Sequence, residues 1–90
     1  MNKEIINKIK KTQKPFFDTI LLPKAEIACN AIMNKKENGE YQLSETEMDA
    51  IEYLQQYGDY CGAISRNNIT NDSILSFSEE IIKIAKAKVV

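Results

Sequence analysis

Tyr53, Tyr57 and Tyr60 stand four and then three residues apart, and Arg66 and Asn67 follow shortly beyond them. On a helix that spacing gathers three rings along one edge. Rings held in this way stack on nucleobases or anchor protein interfaces, and an arginine beside them can pair with phosphate. The plainer account is a set of tyrosines at the edge of a core, with buried rings and wet hydroxyls.

The second grouping is acidic. Glu45, Asp49, Glu52 and Asp59 fall on one side of the same helical pattern, and Glu37 and Glu40 precede them. A solvated face explains these residues. A docking surface for a basic partner, one that ordinarily holds nucleic acid, is the functional alternative. Carboxylates spread along an exposed face do not converge as general acid–base catalysis requires. Such a face also argues against direct DNA binding by this element, and no basic recognition helix follows a turn.

Other chemistry is restricted by what the chain contains. It has no His, which removes the usual general base and every Ser-His or Cys-His nucleophilic pair. Its two cysteines, Cys29 and Cys61, are distant from one another and lie on apolar helical faces. Buried free thiols are expected, and neither a disulfide framework nor a zinc site. Three isolated glycines make no phosphate-binding loop. No catalytic residue, metal ligand or cofactor is assigned.

The elements that must position these residues are helical. Ser44 and Glu47 have the spacing of a capping box. Ala50, Leu54, Tyr57, Cys61 and Ile64 then repeat at alternate intervals of four and three, which predicts a long helix over 44–66. Gly58 and Gly62 interrupt it, marking either a helix end near Asp59 or a strip where another backbone comes close. Residues 15–36 form an apolar stretch broken by Pro23, either one kinked helix or two abutting ones. The turn at Asn38-Gly39 predicts a left-handed terminator at Gly39 and an antiparallel hairpin. A short strand at 40–43 is the alternative for its last residues. The approximate register sets Tyr57 and Gly58 opposite Pro23.

Asn2 to Lys14 is expected to be a short basic helix that docks through Ile5, Ile6 and Ile9. At the other end, residues 73–89 are amphipathic, with the main helix at 77–88 and a capping box at Ser76 and Glu79. The fold expected is all-α: one domain over 1–90, a small helical bundle built on the hairpin of 15–36 and 44–66, with N- and C-terminal helices packed on it.

Net charge is −1 but unevenly spread: residues 1–14 carry +4 and residues 37–66 carry −6. Such a split suits charged partners of either sign, or head-to-tail self-association. Ninety residues give a modest core, so oligomerisation is a natural way to add burial, with Phe16-Phe17 and the tyrosine edge as the surfaces. No segment has the length and apolarity of a membrane span. The N-terminal residues alternate polar and apolar and lack a secretory apolar block, so the expected location is the cytoplasm of the source or host cell.

The run Ala63-Ile64-Ser65-Arg66-Asn67 resembles a stretch in the helical-hairpin proteins by which phages sequester cyclic oligonucleotides. The resemblance covers that run alone. It implies a small nucleotide ligand held between protomers, using Tyr53, Tyr57, Tyr60 and Arg66. The leading expectation is a small non-catalytic binding protein with a protein or other macromolecular partner, in the manner of a bacterial or phage regulator or inhibitor. A nucleotide-ligand binder and a structural subunit of a homo-oligomer are the alternatives.

Overall fold

The computed structural model describes residues 3–88, all helix, turn or loop. The expected helix start at Asn2 and segment end at Val89 lie outside them. Four helices form the bundle: α1 (Lys3–Lys10), α2 (14–37), α3 (Glu45–Cys61) and α4 (Asn71–Lys88).

The centre of the bundle is α2. It opens at Lys14 with Pro15 in its first turn, where a missing N–H costs nothing. Phe17–Leu21 is wound as a π turn, with the Leu22 N–H reaching the Phe17 carbonyl, and Leu22–Glu37 continues as regular α-helix. The interruption expected at Pro23 is thus absorbed by one wide turn just before it. A proline can neither donate nor tolerate a carbonyl tight against its ring, and π turns are one of the few ways a helix accommodates such a site. Phe17, Leu21, Ala25, Ala28, Ala31 and Ile32 are buried along it. The three alanines leave room for larger side chains from the neighbours.

Both α3 and α4 pack along α2, α4 slightly more extensively. The bundle therefore rests on α2 between two partners rather than on the α2–α3 hairpin alone. Ile74, Phe77, Ile81 and Ile84 of α4 are buried, as is Ser78, whose hydroxyl donates to the Leu75 carbonyl at 2.7 Å. The α4 helix starts earlier than expected. Its cap is not Ser76 with Glu79 but Thr70 with Ser73, each backbone N–H donating to the other's hydroxyl at 3.0 and 3.1 Å. Lys36 at the end of α2 pairs with Asp72 at the start of α4. Ile9 of α1 is fully buried and Ile5 and Ile6 pack against the core, so the isoleucine stripe docks as expected.

Between α2 and α3 the chain makes a polar turn with no strand at 40–43. Gly39 is not the left-handed terminator. Asn38 closes the helix in an extended conformation and its Oδ1 accepts the Glu40 N–H at 3.1 Å. An asparagine side chain that supplies the turn bond itself makes the positive φ unnecessary.

The α3 helix opens with the capping box read from the sequence. Ser44 Oγ accepts the Glu47 N–H at 3.1 Å, and Glu47 Oε1 accepts the Ser44 N–H at 2.8 Å. Its end is corrected from residue 66 to Cys61. Gly62 takes φ +79°, and the N–H groups of Gly62 and Ala63 close back on Asp59 and Gly58, a Schellman ending. Ile64, expected on the helix, instead folds back over it. A Cβ on Gly58 would stand 2.5 Å from Ile64 Cδ1. What presses on Gly58 is this side chain, not Pro23.

Candidate functional site

The tyrosines of α3 form a ladder. Tyr53 and Tyr57 stack with centroids 6.3 Å apart and planes within 10°, and Tyr57 and Tyr60 follow at 6.2 Å and 29°. A spacing of four and three residues places each ring over the next. Tyr57 is the hinge between core and surface: Phe16 of α2 lies 5.8 Å from it and Phe77 of α4 6.2 Å. Burial, with the Cys61 thiol beside it, pushes the Tyr57 hydroxyl well above the ordinary phenol range. Tyr53 is raised by burial too, and Lys24 Nζ sits 5.1 Å from its ring centroid. Tyr60 ends the series 82% exposed. The ladder is therefore core-edge at Tyr53 and Tyr57 and open surface at Tyr60.

Arg66 is paired at the Tyr60 end of the ladder, with Asp59, the residue that precedes Tyr60. The residue lies past the end of α3, and its Nε donates to Asp59 Oδ2 at 3.1 Å. Asn67 is exposed in the same turn, its N–H donating to Ser65 Oγ at 3.3 Å. The pairing engages one edge of the exposed Arg66 guanidinium and partners Asp59, the last acid of the acidic face. Glu45, Asp49 and Glu52 remain exposed on that face. Gln56 Nε2 donates to Glu52 Oε1 at 3.3 Å, a solvated i,i+4 pair. Among the described residues no group of His, Cys, Asp and Glu is gathered as a metal site would be.

What the fold brings to the ladder is α1. Lys8, Lys11 and Thr12 face Tyr57, Tyr60 and Cys61 across an open cleft of about 470 Å³. Cys61 is a buried free thiol, raised by desolvation and partly brought back down by Tyr57 and by the positive charge of Lys8. The sequence showed the lysines as the wet face of a docking helix. The signal that could have singled out Lys8 and Lys11 is their spacing of three, which puts them on one side of α1 and its following turn.

Other surface features are smaller. Phe17, expected at an association surface, is buried in the core, and Phe16 is half-buried against Tyr57. Met33 and Met48 are about half exposed, one on α2 and one on α3. No helix among the described residues is long and apolar enough to cross a membrane. Comparison of the chain with models of known families, with curated proteins and with solved structures finds no match.

Proposed function

We propose that the protein is a non-catalytic binding protein that holds a macromolecular partner on the tyrosine ladder, the role of a regulator or inhibitor. The observation that carries this reading is Tyr60: a large ring, almost fully exposed, stacked on a ring that is itself clamped by Phe16 and Phe77. An aromatic anchor fixed before the partner arrives loses little conformational freedom on binding, which is what concentrates affinity in a few residues. The composition supports the same reading, since a chain without His lacks the most common acid–base group.

The test is capture from the source cell with the wild-type chain and with Tyr60→Ala. The partner is recovered by the first and lost by the second, while thermal denaturation shows both chains equally folded. Identical recovery with both chains removes the ladder from the binding surface. Turnover of a substrate that vanishes on changing one acidic residue overturns the non-catalytic reading.

A second reading, a nucleotide-ligand binder, is favoured by one observation: the lysines of α1 that share a cleft with the ladder.

A further inference from the structure

The cleft between α1 and the end of α3 has two walls of different chemistry. One offers the ammonium groups of Lys8 and Lys11, and neither has an acidic partner among the described residues. The other offers the Tyr57 and Tyr60 rings, Tyr60 with most of its surface free. The nearest acid in the sequence, Asp59, is already held by Arg66. The groove between α2 and α4 differs, being lined by both Glu26 and Lys86. The α1–α3 cleft is thus cationic on one side, aromatic on the other, and free of opposing carboxylates among its lining residues.

We propose that this cleft is a site for a phosphorylated nucleoside, with the base stacked on Tyr60 and the phosphate held by Lys8 and Lys11. This rests on the ladder being the binding surface and names the chemistry it recognises. A base has a π face that any aromatic ring can meet, and stacking needs no sequence-specific hydrogen bond. Lysines are point-charge partners for phosphate and need no fork geometry. The size is apt, because ligand clefts begin at roughly 300 Å³. Lys8 and the Cys61 thiol line the same cleft, which places that ammonium at the site. Arg66, the cation the sequence offers for this purpose, has a different part: it neutralises Asp59, which would otherwise repel an anion next to Tyr60.

The same chemistry can come from a free nucleotide or from a single-stranded nucleic acid, and the experiment separates them. The full chain has four tyrosines and no tryptophan, so intrinsic tyrosine fluorescence reports stacking directly. The probes are inorganic phosphate, adenosine, adenosine diphosphate and a short oligothymidylate, titrated at low and at high salt. A phosphorylated probe quenches the fluorescence and binds about tenfold or more tightly than either phosphate or adenosine alone, and raising the salt weakens it. Tyr60→Leu lowers the affinity by a similar factor and Tyr60→Phe keeps it. Lys8→Gln with Lys11→Gln removes the salt dependence. Tight binding of the diphosphate identifies a free nucleotide; binding of the oligonucleotide alone identifies a strand. Equal affinity for phosphate and diphosphate, or no binding by either phosphorylated probe, overturns the proposal. If Tyr60→Ala loses a captured protein while neither phosphorylated probe binds, the inference fails and the partner-binding function stands.

Discussion

Gly58 shows how one missing side chain shapes the site. A Cβ there would meet Ile64 Cδ1 at 2.5 Å, its Cγ1 at 2.8 Å and its Cβ at 3.3 Å. Gly58→Ala should therefore destabilise the fold by roughly 1–3 kcal/mol through overpacking. Ile64→Ala alone loses a buried side chain and costs about 2–5 kcal/mol. The two changes together should cost clearly less than their sum in thermal or urea denaturation, since each removes what makes the other harmful. Strict additivity would show that the two residues do not press on one another. The other two glycines divide differently. Gly62→Ala must hold a side chain at φ +79° and should lose about 1 kcal/mol. Gly39→Ala meets nothing within 4 Å and has no positive φ, so it should be neutral or slightly stabilising. Gly58 and Gly62 are visible in the sequence as flaws in a helical pattern. Their opposite roles, a close contact and a helix stop, come from the chain folding back at Ile64, which periodicity does not encode.

At the scale of the element, the two long helices flanking the 62–70 loop are each fixed by a cap, and the sequence revealed only one of them. Ser44 with Glu47 has the common Ser-to-Glu spacing. Thr70 with Ser73 achieves the same reciprocal bonding with a hydroxyl in place of the carboxylate, a pairing the usual pattern overlooks, so Ser76 and Glu79 looked the better candidates. Thr70→Ala should cost about 1 kcal/mol, and Ser76→Ala, a change at an exposed mid-helix position, should be nearly silent. Charge adds a pH dependence to the first cap alone. The Ser44 N–H and then the Tyr41 hydroxyl hold the Glu47 carboxyl below the usual carboxylate range. Because the folded value lies below the unfolded one, the contribution is complete above the ordinary Glu pKa of about 4.3 and is lost as pH falls through the depressed value. Stability measured from pH 6 down to about 2 should fall less steeply in Glu47→Gln, which loses the titration. An unchanged acid limb would mean that the cap does not depend on the charge.

For the whole molecule, the helical class, the docking of α1 and the start of α3 were all legible, because each depends on apolar spacing or on a local hydrogen bond. The partnership of helices was not. Nothing in the periodicity of residues 71–88 shows that α4 packs on α2 as extensively as α3 does, since an apolar face does not name its partner. The same gap hid half of the candidate site. The tyrosines lay within one helix and were found, whereas Lys8 and Lys11 reach them only through tertiary packing. The partner of Arg66, Asp59, is likewise a contact in space that its position in the sequence does not name.

The π turn at Phe17–Leu21 also carries a record of length. A single π turn holds one residue more than the α-helix would need to join the same two ends, so the flanking faces stay in phase whether that residue is present or removed. Once Pro23 is also replaced, this chain should therefore accept a deletion in the first third of its most buried helix, where deletions are ordinarily ruinous. Thr19, exposed within the turn, is the residue to remove. Removing it alone should be costly, by about 3 kcal/mol or more, because the shortened helix would drive a carbonyl onto Pro23. Removing it together with Pro23→Ala should return the melting temperature close to that of the parent, with Phe17 and Leu21 still in the core. The surplus residue would then be what lets the helix carry its proline.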